Sequence, residues 1–203
     1  MKTIKEQVLA EIVEKKSKFI ANVFYVESVN DAEEKIKEIK KKYYDAKHNC
    51  FAYLIIGENN ETIKRFSDDG EPSGTAGSPI LQILEKKKIC NVLVVVTRYF
   101  GGILLGTGGL LRAYSNVTLS ALEKAKIINK TLGLEVLLES SYKDSEQLRF
   151  FLEKNKINII NVIYKENVEL LVEIPEDNKD IILDNIREKV IKYEIKTKKY
   201  IDI

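Results

Sequence analysis

The last seventy residues of the chain alternate between apolar runs and amphipathic stretches in a regular order, and this order restricts the fold more than any other feature. Four short apolar runs are typical of strands: 134–140, 157–164, 168–174 and 194–201. Stretches with helical spacing connect the first run to the second and the third to the fourth. The resulting order of strand, helix, strand, strand, helix, strand is that of the ferredoxin-like βαββαβ fold. We therefore predict an α+β domain of this type over residues 133–203.

Both helices of this domain are predicted from apolar residues that share one face. We expect Asp144 or Ser145 to be the N-cap of the first helix, and the second helix to begin near Asp177 or Asn178, after Pro175. The inward-facing residues of the two helices are, in chain order, Leu148, Phe151, Leu152, Ile182, Ile186 and Val190.

Residues 1–132 are predicted to form a second α+β domain with a less regular order of elements. Ser78 and Thr107 are the predicted N-caps of its second and third helices. Residues 57–60 are the predicted turn of a β-hairpin. We expect strands at 7–14, 18–27, 49–57, 61–66 and 90–97, and helices at 30–44, 79–88 and 108–126.

The composition is that of an ordinary globular protein. Of the 203 residues, 44% are hydrophobic and 32% are charged, a balance that supports a buried core. No apolar run approaches the ~20 residues that span a bilayer, so we expect a cytoplasmic protein without a membrane partner. Cys50, Cys90 and the single histidine, His48, have no zinc-binding spacing, and we interpret both cysteines as core residues.

Charge is distributed unevenly along the chain. The net charge is only +2, but residues 1–132 carry 21 Lys and Arg against 16 Asp and Glu, whereas residues 133–203 carry 12 against 15. The stretch from Lys86 to Leu122 contains five basic residues and no acidic residue. An anionic partner is therefore expected to contact the first domain.

Glycine is concentrated where two helices are predicted to begin. Eight of the ten glycines lie between Gly70 and Gly109. Backbone amides in such loops, together with the positive end of a helix dipole, can bind phosphate; tight turns and close helix packing are the alternative explanation. No Walker-type or dinucleotide-type glycine motif is present. The candidate phosphate- or RNA-binding residues of the two segments are Gly74, Thr75, Gly77, Ser78, Gly101, Gly102, Gly106, Thr107, Gly108 and Gly109.

Two arginines and a pair of aromatic residues accompany the second glycine segment. Arg98 and Arg112 are candidate phosphate ligands, because guanidinium groups bind phosphate in a bidentate manner. Tyr99 and Phe100 are candidates for stacking on unpaired bases, although aromatic residues after a buried strand also serve as core.

A polar cluster before the second helix has two interpretations. Asp68, Asp69 and Glu71 could supply a magnesium ligand set or an acid and base, but Asp-Asp-Gly is also an ordinary turn sequence, which we favour. His48 could form a hydrolytic triad with Ser73 and Asp68. No nucleophile-elbow motif surrounds any serine, and we assign no catalytic residue and no metal ligand.

Three segments together resemble the IMPACT family, in particular its bacterial YigZ/YvyE branch. They are AKHNCFAY at 46–53, SDDGEPSGTAGSPIL at 67–81 and VVVTRYFGGILLGTGGLLRAY at 94–114. The resemblance implies a first domain similar to the second domain of a small-subunit ribosomal protein, and a second domain similar to a carboxy-terminal domain of elongation factor G. Eukaryotic members regulate translation by interfering with activation of an initiation-factor kinase, but they carry an additional amino-terminal domain that is not expected here.

These features lead to one expected function and two alternatives. We expect an RNA- or ribosome-binding protein that regulates translation, without a cofactor and without catalysis. The first alternative is an enzyme acting on a small phosphorylated metabolite held by the two glycine-rich loops. The second is a protein-interaction module that uses the ferredoxin-like sheet. The sequence does not indicate the oligomeric state.

Overall fold

A computed structural model of the chain describes residues 1–57 and 61–202, and it divides into two compact units, residues 1–128 and 129–203. Most of the predicted hairpin turn at 57–60 lies outside the described residues. Among the helices that the structure describes, none is both long enough and apolar enough to cross a membrane.

The first unit is built on a five-stranded antiparallel sheet in the order β2-β3-β6-β4-β5. Its elements agree with the prediction within a few residues, apart from a short additional strand at the amino terminus. They are β1 (Lys2–Ile4), β2 (Val8–Glu14), β3 (Ser17–Tyr25), α1 (Val29–Lys42), β4 (His48–Ile56), β5 (Thr62–Ser67), α2 (Gly77–Lys87), β6 (Val92–Tyr99) and α3 (Gly106–Lys124).

Helices cover both faces of this sheet. On one face α2 and α3 pack over β6 residues such as Val94 and Val96, and on the other face α1 packs over Leu93 and Val95. All four side chains are fully buried. Because both faces of β6 are covered, its sequence is a continuous apolar run instead of an alternating one.

The second unit has the ferredoxin-like fold that the sequence predicts. Its antiparallel sheet has the order β10-β7-β9-β8, and the alternate residues of β9, from Val168 to Ile174, point into the core beneath the helices. β7 begins seven residues before its predicted start, and β10 pairs with it from Glu139 back to Lys130. The elements are β7 (Ile127–Ser140), α4 (Tyr142–Lys154), β8 (Asn158–Tyr164), β9 (Val168–Pro175), α5 (Lys179–Ile186) and β10 (Lys192–Asp202).

The predicted helix caps are wrong. Ser141 is the N-cap of α4 and accepts a hydrogen bond from the Asp144 amide, so Asp144 and Ser145 already lie in the helix. Ser78 and Thr107 are likewise inside α2 and α3, whose N-cap positions carry no side-chain cap.

Candidate functional site

The start of α2 is occupied by a carboxylate of the chain itself. Oδ1 of Asp68 accepts hydrogen bonds from the amides of Ala76 at 3.0 Å and Gly77 at 2.8 Å, and Oδ2 accepts from the Gly74 amide at 2.8 Å. These amides belong to the segment that we expected to bind phosphate. Asp68 therefore replaces both the external anion and the predicted Ser78 cap at this helix start.

The neighbouring Asp69 fastens the same loop to the sheet and to α1. Its Oδ2 accepts from the Asn49 amide at 2.7 Å, and its Oδ1 forms a 2.8 Å ion pair with Lys40. The carbonyl oxygen of Asp69 lies 2.8 Å from Nδ1 of His48. Because a carbonyl can only accept, Nδ1 of His48 carries a proton and donates.

The third carboxylate, Glu71, is buried in an ion pair with Arg98. The distance between Glu71 Oε1 and Arg98 Nη1 is 2.6 Å, and the side chains are only 4% and 7% exposed. Tyr114 donates to the same carboxylate oxygen at 2.9 Å. The guanidinium of Arg98 also lies between two aromatic rings, 5.5 Å from the centroid of Phe19 and 5.6 Å from that of Phe100.

A thiol and a phenol complete this buried network. Sγ of Cys50 lies 3.0 Å from the Asp68 carbonyl oxygen and 3.3 Å from the Tyr114 hydroxyl. Burial raises the pKa of Cys50 to about 12, and burial also raises the pKa of Tyr114 above its ordinary value. Both groups therefore remain protonated and act as donors near neutral pH.

The polar cluster thus has a structural role. Asp68, Asp69 and Glu71 each have protein partners, and no group of three or more His, Cys, Asp and Glu suited to a metal ion occurs in the described part of the chain. This arrangement agrees with the turn interpretation of Asp-Asp-Gly. It also contradicts the expectation that the guanidinium of Arg98 is free to bind phosphate, because that group is buried against Glu71.

Other candidate residues of the first segment and of β6 are also engaged internally. The hydroxyl of Thr75 donates to the Pro72 carbonyl at 2.6 Å and is buried. The hydroxyl of Tyr99 donates to Asp45 at 2.8 Å, and this hydrogen bond raises the pKa of Tyr99 to about 12. Neither hydroxyl is available as a free ligand group.

The second glycine segment is held against the hairpin between β2 and β3. A Cβ on Gly101 would collide with the backbone of Lys16 and Ser17, and the Gly101 amide donates to the Ser17 hydroxyl at 3.1 Å. Gly102 and Gly106 have φ values of +85° and +71°, which favour glycine. These three glycines are explained by local geometry.

The start of α3 differs from that of α2 because no side chain in the described part of the chain caps it. Its N-cap residue is Leu105, which has no acceptor, and its first turn contains no acidic residue. Gly106, Thr107 and Gly108 are exposed, and a Cβ on Gly108 would meet nothing within 4 Å. Gly109 packs beside Leu105. The first residues of α3 are therefore exposed, and the room beside Gly108 is open.

Three exposed apolar side chains and one exposed arginine lie close in sequence to the start of α3. Phe100 is 50% exposed and Leu104 is 82% exposed, with Ile103 also on the surface. Arg112 is exposed and forms no ion pair with any residue that the structure describes. We define the α3-start surface as Phe100, Ile103, Leu104, residues 106–108 and Arg112.

A groove between α2 and α3 is too small for most metabolites. Its volume is about 190 Å³, whereas small-molecule sites commonly have about 300–1,000 Å³. The groove is lined by Gly74, Pro79, Gln82, Ile83, Lys86, Leu111 and Ser115.

Sequence analysis missed two features of this region. Tyr114 is fully buried and joins Glu71 to Cys50, but nothing in the local sequence separates it from an ordinary core tyrosine. Lys15 and Lys16 form the two-residue turn beside Gly101, and the spacing of β2 and β3 could have identified that turn.

Comparison with known proteins is consistent with this geometry. Residues 15–122, more than half of the chain, match the Impact N-terminal domain, and residues 138–189 match a domain of unknown function, DUF1949. The chain belongs to the IMPACT family.

The predicted likeness to the bacterial branch of the IMPACT family is confirmed by two of its relatives. IMPACT family member YvyE of Bacillus subtilis is 40% identical over 174 residues, which is 86% of this chain and 79% of YvyE. IMPACT family member YigZ of Escherichia coli is 36% identical over 161 residues, 79% of each chain.

Solved structures related to this IMPACT family chain include one that matches along its full length. A crystal structure described as that of a hypothetical protein is 30% identical, with a TM-score of 0.65, and the match covers 100% of this chain and 96% of that chain. The structure of the two-domain translational regulator Yih1 matches 61% of this chain and 47% of its own, at 24% identity and a TM-score of 0.38.

Proposed function

We propose that this protein binds RNA, on its own or within the ribosome, through the α3-start surface, and that it regulates translation in the cytoplasm without catalysing a reaction. The observation that carries the proposal is the exposed start of α3, which no described side chain caps, together with Arg112, which is unpaired among the described residues. At the start of α2, by contrast, the backbone amide of Gly77 already donates a hydrogen bond to Asp68.

The distribution of charge along the chain also supports an anionic partner at the start of α3. From Lys86 to Leu122 the chain carries five basic residues and no acidic residue. Exposed amides at a helix start and an unpaired guanidinium both attract phosphate oxygens. An RNA backbone can contact both groups at once, because its phosphates repeat along the strand.

The apolar part of the α3-start surface supports an unpaired strand over a duplex. The ring of Phe100 is half exposed while Arg98 lies against it, so the ring is held in place and can stack on a base. Unpaired bases offer faces for such stacking, and bases within a helix do not.

The role in translation is proposed from the family. The chain belongs to the IMPACT family, and its resemblance to the eukaryotic members implies a role in the regulation of translation. An RNA-binding surface suits a protein that acts at the ribosome. The enzyme alternative loses its main support. The amides of the first glycine-rich loop already donate hydrogen bonds to Asp68, and the Glu71 carboxylate of that loop is paired with Arg98.

Sedimentation with ribosomes and their subunits across a salt series tests this proposal. We expect wild-type protein to co-sediment at low salt and Arg112→Ala to lose most of this association. Arg187→Ala in the second unit removes the same charge from another exposed position and is the matched control. Equal binding by wild type and Arg112→Ala, or no binding by wild type even at low salt, would contradict the proposal.

A further inference from the structure

The turn between β2 and β3 has a conformation that its sequence does not favour. Glu14 pairs with Ser17 across the hairpin, which leaves Lys15 and Lys16 as a two-residue turn. Their φ values are +45° and +65°. Such turns strongly favour Asn-Gly, because most side chains rarely adopt this backbone conformation. Two lysines here are therefore unexpected on conformational grounds.

This turn is fixed beside the α3-start surface. Gly101 packs directly on the backbone of Lys16, where any side chain on Gly101 would collide, and the Gly101 amide donates to Ser17. Gly101 directly follows Phe100 in the chain. The backbone of the turn is thus held against Gly101, one residue from the ring proposed to stack on a base.

Both lysine side chains are available for an anionic partner. Lys15 and Lys16 are exposed, and neither forms an ion pair with a residue that the structure describes. Lys18, the next lysine along the hairpin, is instead paired with Glu11 at 2.8 Å. Glu14, directly before the turn, is also exposed and unpaired among the described residues, so residues 14–16 keep a net charge of +1.

We propose that Lys15 and Lys16 bind backbone phosphates of a single-stranded RNA segment that lies across the α3-start surface, an inference that rests on the proposed function. The partner is assigned as RNA because positive charge on this turn adjoins an exposed aromatic ring, and a nucleotide offers both a phosphate and a base. In the sequence, the two lysines precede Phe100 and Arg112 follows it. The lysines would add phosphate contacts to the one that Arg112 makes.

The test uses the full-length protein and a fluorescein-labelled oligouridylate, with fluorescence anisotropy measured over a salt series. The variant Lys15→Asn/Lys16→Gly replaces the turn by the sequence its conformation favours, so thermal stability should rise or stay the same. Affinity for the oligonucleotide should fall about tenfold at about 0.1 M salt, and the logarithmic salt slope should fall by about 1.4, the value for two lost contacts to single-stranded phosphates.

The matched control is Lys154→Asn/Lys156→Gly in the second unit. It removes the same charge, both lysines are exposed, and Lys156 also has a positive φ of +56°. Its affinity should stay within about twofold of wild type, because non-specific loss of net charge has only a weak effect at this salt.

Three outcomes would overturn the inference, and they are distinguishable. If the turn variant binds like wild type while Arg112→Ala binds weakly, the lysines play no part and the proposed function stands. If wild-type protein binds neither the oligonucleotide nor ribosomes, the proposed function fails as well. If polyglutamate binds as tightly as the oligonucleotide and depends equally on both lysines, the partner is an acidic chain and not RNA.

Discussion

The starts of α2 and α3 show how similar glycine-rich sequences can have opposite roles. Both helices follow glycine-containing loops and neither has a capping side chain at its N-cap position. At the start of α2, backbone amides donate hydrogen bonds to Asp68 of the same chain. Between Glu85 and the start of α3, by contrast, the sequence contains no acidic residue. One internal carboxylate therefore makes the start of α2 part of the structure, whereas the start of α3 remains exposed on the surface.

The largest expected effect tests whether the region around α2 is structural. Arg98→Ala should lower the free energy of unfolding by about 3–5 kcal/mol, because it leaves Glu71 buried without its cation. Urea unfolding measures this change. Arg112→Ala, an exposed arginine at α3, should change stability by less than about 0.5 kcal/mol. Similar losses for both variants would contradict the difference between the two regions.

Removing the internal anion should make α2 behave like α3. Asp68→Ala should cost about 2 kcal/mol, the upper end of the range for a lost N-cap, since Asp68 accepts from three amides. Inorganic phosphate should then raise the melting temperature of Asp68→Ala more than that of wild type. Differential scanning fluorimetry with and without phosphate measures this rescue, and Asp144→Ala, at the start of α4, is the control.

Replacing glycine by alanine should lower stability in the first glycine-rich segment and raise it in the second. A Cβ on Gly77 would lie 2.7 Å from the Ser67 carbonyl oxygen, so Gly77→Ala should destabilise by about 1–3 kcal/mol. A Cβ on Gly108 would meet open space, so Gly108→Ala should stabilise by about 0.5–1 kcal/mol. Thermal unfolding of the two variants measures both signs, and a loss of stability in Gly108→Ala would show that the α3 start is more crowded than described.

The smallest effect concerns alkaline pH. The folded-state pKa of Cys50 is raised from 9.0 to about 12, so the protonated thiol stabilises the fold fully below pH 9, and this contribution is lost as the pH rises toward 12. Between pH 9 and 10 wild type should lose up to about 1 kcal/mol more than Cys50→Ala. Urea unfolding at both pH values measures the difference, and an identical loss in the two proteins would place Cys50 outside the buried network.

Periodicity predicted most of the fold, because strands and helices are determined by which side chains face a core. The run at β6 and the βαββαβ order of the second unit were both visible in this way. The cap of α2 was predicted wrongly because its anion comes from Asp68, outside the local positions at which caps are sought. A residue nine positions before the helix gives no local signal.

The candidate site was harder to predict for the same reason. Sequence analysis identified Arg98 and Arg112 as equivalent, but the fold brings Glu71 to one and leaves the other exposed. The lysine turn was missed because its importance depends on Gly101, which is distant in the sequence and adjacent in the structure. Contacts between segments, and not residue types, decide which charges remain available.

The central claim is that the start of α3 binds RNA while the start of α2 does not, and amide NMR tests it most directly. Titrating labelled protein with an oligouridylate follows the glycine amides of both segments in one spectrum. We predict that the Gly106 and Gly108 signals shift with bound RNA and that the Gly74 and Gly77 signals, whose amides are held by Asp68, do not. Shifts confined to Gly74 and Gly77, or to the second unit, would contradict the account.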